Sequence, residues 1–350
     1  KTKRKKIIVE HTMAYQKTHC VLFYLFFLDS KKGEDNMRKF IVGRVLSIIP
    51  VLIIVSVVIF SVVHLTPGDP AASILGDEAT VEDIAALRAK MGLDKPVVEQ
   101  YFIWIGNIFH GDFGMSVAGN ETVASMISSH WEPTISLTIF STIVALCLAI
   151  PLGIIAARKK GTAVDSTVSA ISLTGISLPS FLLGLFLMMV FAVKLKWLPV
   201  SGYKTMSDGF IPHIRSLILP GVALGFMHSA LLMRMTKASM LEVLNSDYIK
   251  MAKAKGVREF FLIAKHAFRN ALIPVITTIG QSIVGALAGA AVVEYMFAIP
   301  GMGQLMVNSI GRRDYYVIQA IVLIIACINV FINLLVDLLY GIADPRVRLG

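Results

Sequence analysis

TISLTIFSTIVALCLAIPLGIIAA, residues 134–157, contains no Lys, Arg, Asp or Glu. A helix rises about 1.5 Å per residue, so this run can cross a hydrocarbon layer about 30 Å thick. Five more uncharged runs lie around it, at 45–65, 166–193, 216–233, 271–293 and 317–336. Any one of them reads equally well as a buried core helix, but six in series on one chain do not. Alternating strand-like segments of the barrel type are absent, so the spans are expected to be helical. The expected fold class is an all-α membrane protein with six transmembrane helices.

The rest of the composition fits that reading. Only 16% of the 350 residues are charged, against roughly 25% in soluble domains. The three cysteines, Cys20, Cys147 and Cys327, form no CxxC pair, so neither a zinc site nor a disulfide framework is indicated. The formal charge of +10 could suggest a nucleic-acid partner, but its placement argues for membrane topology instead. Short basic loops stay in the cytoplasm. Arg158, Lys159 and Lys160 follow the second run, and loop 237–270 is net +4. Both put the termini in the cytoplasm, with Arg38, Lys39 and Arg44 at one end and Arg346 and Arg348 at the other. Segment 66–133 is net −7 and is expected to form an acidic extracytoplasmic lobe. Within it Thr80 and Asp83 are spaced to cap a helix that Gly92 ends.

Loop 237–270 is the most informative segment. Asn245, Ser246 and Asp247 supply N-cap chemistry, and Gly256 supplies a stop. The YIKMAKAK between them makes about two turns, too short to be stable alone in water. It needs a surface, which the apolar stripe Tyr248, Met251 and Ala252 could meet. That surface is either a partner protein or anionic lipid. A second amphipathic stretch, 260–268, leads into the fifth run.

DYIKMAKAKG (247–256) followed by KHAFRNALIP (265–274) resembles the cytoplasmic signature of ABC importer permeases, in its peptide-permease form. Lys250 and Met251 stand where the wider signature has Glu and Ala. His266, Phe268 and Arg269 replace its Ile, Leu and Pro, and the dipeptide/oligopeptide branch shares these departures. HLTPGDP (64–70), MGLDKPVVEQY (91–101), GDFGMS (111–116), WLPVSGY (197–203), EYMFAIPGMG (294–303), RRDYYVIQ (312–319) and DLLYGIADPRVR (337–348) are similar to that branch in order and spacing. Tyr316 departs from it, since Pro often stands there.

The resemblance implies a type I importer permease that moves short peptides by alternating access in the inner membrane of a prokaryote. Its partners would be a homologous second permease, two ATPase subunits binding ATP and Mg, and an extracytoplasmic solute-binding protein. The loop would form a coupling helix, with Asp247, Tyr248, Met251, Ala252, Ala254, Lys255, Gly256 and Arg258 meeting an ATPase groove. Nickel or metal-chelate cargo is the alternative within the same branch, and a secondary transporter is the alternative outside it.

The implied organisation is an atypical extension over 1–36, a first helix over 37–65 and the lobe over 66–133. A permease core over 134–341 and a cytoplasmic tail over 342–350 follow. Residues 1–36 match nothing in the branch, and Met37 opens directly into the basic flank of the first run. They read either as an extension foreign to the protein or as a tail with a surface-lying segment at 21–28. No GxxxxGK[ST] phosphate loop occurs, so the chain is expected to hold no cofactor and to catalyse nothing. Few polar groups interrupt the runs. His228, near Met227 and Met233, with Met188 and Met189, reads as a metal path or as helix packing with His228 bonded to a neighbouring helix. Glu294 and Asp337, at run ends, are expected to be solvated or paired. Pro151, Pro179, Pro220 and Pro274 are expected to interrupt helices.

Overall fold

A computed structural model describes residues 36–65, 71, 80–90, 92–116 and 121–343. The extension before residue 36, the tail from 344 and parts of the 64–70 stretch lie outside the described residues. The described residues form helices α1 (Asn36–Leu65), α2 (Val81–Lys90), α3 (Val97–Phe109) and α4 (Val123–Arg158). They continue with α5 (Ala163–Ser177), α6 (Ser180–Leu187, running into a π-turn at Met188–Lys194), α7 (Phe210–Leu244) and α8 (Asp247–Ala254). Then come α9 (Glu259–Phe297, with a π-turn at Leu262–Ala267), α10 (Met302–Gly311) and α11 (Tyr315–Ala343).

Among the described residues four helices, α4, α7, α9 and α11, are long and apolar enough to cross a membrane. α1 carries a shorter apolar segment, Leu46–Ser61. The expected single span over 166–193 is instead two helices, α5 and α6, meeting at 103°. Leu178, held extended (ψ 116°) before Pro179, makes the break. Proline crowds the residue before it out of the helical region, and that residue then starts a new direction. Pro151, Pro220 and Pro274, expected to interrupt helices as well, run inside α4, α7 and α9 without ending them.

The seam between α4 and α7 shows why those helices hold. A Cβ on Gly221 would meet Phe140 at 2.3 Å, and one on Gly225 would meet the Ser141 carbonyl at 2.5 Å. Small residues let the helices approach closely, which adds dispersion contact along the seam. α9 uses the same device. A Cβ on Gly280 would strike Val336 of α11, and one on Gly285 would strike the ring of His228 at 2.9 Å. Leu137, Leu217, Leu224, Ala290 and Val293 close the core between α4, α7 and α9.

Capping is as the lobe sequence indicates. The Asp83 amide donates to Thr80 Oγ1 (3.2 Å) and the Thr80 amide to Asp83 Oδ2 (3.3 Å), and Gly92 turns left-handed at φ +68°. The Thr80 hydroxyl also bonds the Asp83 carboxylate and holds its pKa below the usual range. α4 begins at Val123, with Thr122 as its cap, well before the uncharged run itself.

Candidate coupling site

α8 starts where the sequence places it. Its N-terminal neighbour Ser246 is extended, but the Ser246 hydroxyl turns back to the Val243 carbonyl (2.6 Å) and does not cap α8. The far end closes as a Schellman motif, with Gly256 N–H on Lys253 O (3.0 Å), Val257 N–H on Ala252 O (3.3 Å) and Gly256 at φ +78°.

The helix lies with one face on the protein. Ile249 is buried, with Ala252 beside it, against Ala157 of α4, Met240 of α7 and Leu262, Ile263 and Ala267 of α9. Ala252 therefore belongs to the inner face and not to the outward stripe expected for it. A spacing of three residues puts 249 and 252 on one side of a helix and sends 248, 251 and 255 to the other. Tyr248 and Met251 stand 45% and 61% exposed, with Asp247, Ala254, Lys255, Gly256 and Arg258 exposed around them. Phe260 and Phe261 extend this surface, 75% and 53% exposed and stacked edge to face at 5.8 Å. Both were legible only as part of an amphipathic stretch.

Two contacts tie this face to the spans. The Asn270 side-chain amide of α9 donates to Tyr248 Oη (2.7 Å) and to the His266 carbonyl (3.2 Å). Arg158, the last residue of α4, pairs with Glu259, the first of α9, at 2.6 Å. That ion pair is exposed and worth under about 1 kcal/mol. A second ion pair, Lys237 of α7 with Asp165 of α5, joins two spans, is more sheltered and is shared with the Ser169 hydroxyl.

At the opposite end, stretches far apart in sequence converge. Glu294, expected to be solvated or paired at a span end, is fully buried and bonded to neutral donors. It accepts from the Thr134 hydroxyl (2.6 Å) and the amides of Gly303 (2.8 Å) and Gln304 (3.1 Å), while the Met302 amide donates to Thr134 Oγ1 (2.8 Å). The carboxylate thus caps α10, where helix dipole and free amides favour a negative group. Ser116 donates to Asp314 at 2.5 Å, and Tyr316 lies over Gly114. Glu132 accepts from Tyr203 Oη (3.1 Å), whose pKa burial pushes up to about 12. Away from this end, Asp337 near the close of α11 is paired with Arg44 of α1 at 3.2 Å.

His228 packs over Gly285, but its Nε2 finds no hydrogen-bond partner among the described residues, contrary to the bond expected to a neighbouring helix. Among the described residues no group of three or more His, Cys, Asp or Glu side chains is placed to hold a metal.

The match to known proteins covers both halves of the chain. Residues 149–349 match the family model described as binding-protein-dependent transport system inner membrane component, and residues 37–138 match its N-terminal companion. A probable peptide ABC transporter permease of Sinorhizobium fredii is 39% identical over 89% of this chain and 100% of its own length. The glutathione transport system permease of Escherichia coli K12 is 42% identical over 89% of this chain and 99% of its own. Among solved structures, the inward-facing MetNI methionine ABC transporter superposes with a TM-score of 0.52 at 17% identity, covering 63% of this chain and 96% of that one, a likeness of fold alone. With two family models spanning nearly everything after Met37, the chain belongs to the binding-protein-dependent transport system inner membrane components.

Proposed function

We propose that this inner-membrane permease moves short peptides inward as the channel-forming subunit of an ATP-driven importer. The observation that carries the reading is the 39–42% identity, over 89% of the chain, to permeases named for peptide and glutathione transport. In this reading α1, α4, the α5–α6 pair, α7, α9 and α11 make six spans. A homologous permease, two ATPase subunits holding ATP and Mg, and an extracytoplasmic binding protein complete the importer. The basic loop 237–270 and both termini face the cytoplasm, and the 66–133 lobe faces outward, as the charge distribution favours.

The outward face of α8 seats in an ATPase subunit through Asp247, Tyr248, Met251, Ala254, Lys255, Gly256 and Arg258, with Phe260 and Phe261 beside them. Ala252 joins Ile249 in holding the helix from within. What supports this is a short helix whose inner face is pinned to three spans while its outer face exposes Tyr248 and Met251 among charged residues. A displacement of α8 passes to α9 through Tyr248 and Asn270 and through the apolar contacts beneath Ile249. Closing of the ATPase pair would thereby switch the side to which the bundle opens. Peptide affinity resides mainly in the binding protein, because a passage that held cargo tightly would not release it.

Deleting the gene tests the cargo. Uptake of a labelled short peptide should fall to background while nickel accumulation stays at the wild-type level. Loss of nickel uptake with peptide uptake intact would overturn the assignment. In the same cells a cysteine at Lys255 should react only with membrane-permeant thiol reagents and one at Asp94 with impermeant ones, and the reverse pattern would invert the orientation.

A further inference from the structure

The lobe is acidic, yet its longest described helix is not. α3 buries none of its residues fully, although it is strongly apolar. Its partner is the first span. Tyr101 Oη lies 2.7 Å from Ser56 Oγ, and the rings of Tyr101 and Trp104 pack against Phe60 at 5.4 and 5.6 Å. Ser56 and Phe60 both belong to the apolar segment Leu46–Ser61 of α1. At about 1.5 Å per residue, Ser56 sits about 8 Å inside the Ser61 end of that segment. α3 therefore lies beside the membrane-embedded part of α1 and not above it.

Helical spacing sorts the rest of α3. Tyr101 and Trp104 face α1. Val98, Phe102 and Phe109, at i, i+4 and i+11, form an adjoining stripe that is 67%, 65% and 84% exposed. Glu99, bonded to Lys95 at 2.8 Å, and the exposed Asn107 lie on the other side. The segment of α1 on which α3 packs is itself apolar and exposed, at Ile53, Ile54, Val57 and Val58.

We infer that α3 is an interfacial helix that lays the Val98–Phe102–Phe109 stripe among phospholipid acyl chains of the leaflet on the lobe side, with Glu99 and Asn107 turned to water. The division into an apolar stripe and a polar side is that of an amphipathic helix suited to the interface plane, where aromatic residues such as Tyr101 and Trp104 gather. The occupant is lipid because α3 packs on the apolar segment of the first span, at Ser56 and Phe60, and so carries its exposed stripe to the level of that segment. The inference rests on reading α1 as the first span and is independent of cargo or ATPase coupling. It gives the lobe a fixed height and tilt on the membrane, against which a docking protein could register.

Nitroxide labels test it in the full importer reconstituted into nanodiscs of phosphatidylcholine and phosphatidylglycerol, with Cys20, Cys147 and Cys327 replaced by Ser or Ala. Labels on Phe102→Cys and, should that variant accumulate poorly, on Val98→Cys should be relaxed several-fold more by oxygen than by a water-soluble nickel chelate. A label on Asn107→Cys should show the opposite order. Chelate-dominated relaxation at 102 or 98 would put the stripe in water and overturn the inference. Protection from both reagents would mean that a protein surface covers it, which overturns it equally. Uptake activity of the same samples reports separately on the importer reading.

Discussion

Gly256→Val should abolish transport by the importer while the permease still accumulates in the membrane. The residue sits at φ +78°, and a Cβ there would meet nothing within 4 Å, so the penalty is conformational and not a clash. A left-handed backbone costs an ordinary L-residue about 1–2 kcal/mol, and a β-branched one suffers most. α8 has only eight residues and little intrinsic stability with which to absorb that cost. The helix is closed by the bonds from Gly256 and Val257, so the strained residue either frays its last turn or swings Lys255 and Arg258 out of place. The span cores built on Leu137, Leu224 and Val293, and on Ala145 and Leu232, do not involve α8 and should persist. Asn tolerates the left-handed region, so Gly256→Asn should keep most of the wild-type rate. Uptake in proteoliposomes, normalised to the amount of assembled complex, measures both variants. Wild-type uptake by Gly256→Val would refute a docking role for α8.

Glu294→Ala should be the most destabilising single change. It removes the acceptor for the Thr134 hydroxyl and for the Gly303 and Gln304 amides, in a place where Glu294 itself is wholly buried. Each orphaned buried donor costs about 1–3 kcal/mol, and the vacated volume adds a cavity term. A loss of roughly 4 kcal/mol or more is expected, enough to prevent accumulation or to lower the midpoint of thermal unfolding in detergent steeply. Glu294→Gln keeps the volume and one acceptor oxygen and should fall in between. Gly301→Ala should resemble Glu294→Ala, because its Cβ would meet the carboxylate at 2.3 Å. Unchanged unfolding of Glu294→Ala would show that the α9–α10 corner does not depend on this carboxylate.

The spans are legible in the sequence because removing charge from a twenty-residue stretch has one common physical reason. The break at Pro179 is not, since Pro151, Pro179, Pro220 and Pro274 all sit in similar apolar runs. What separates them is tertiary. Pro220 is buried in the α4–α7 seam, where Gly153, Gly221 and Gly225 allow tight packing, and Pro151, itself exposed, lies two residues before Gly153. α5 and α6 both pack on α7, but at different places, Gly175 meeting Ala230 of α7 while Gly184 also meets Met296 and Phe297 of α9. Glu294 was misread for the same kind of reason, because its hydroxyl partner lies 160 residues away. The limits of α8 were legible from local chemistry, its C-terminal stop at Gly256 above all. Which way Ala252 turns was not, because the stripe 248, 251 and 252 spans both faces. Ile249 settles it by taking the buried place.

Covalent capture at Met251 tests the central claim most directly. A photoreactive side chain is placed at Met251 in the importer assembled in proteoliposomes, and the products of illumination are identified. The account predicts a cross-link to the ATPase subunit, with the same result from Phe260 and none from Ile249. Adducts with lipid alone, in a preparation that still contains the ATPase and hydrolyses ATP, would contradict it and make α8 a helix of the membrane surface.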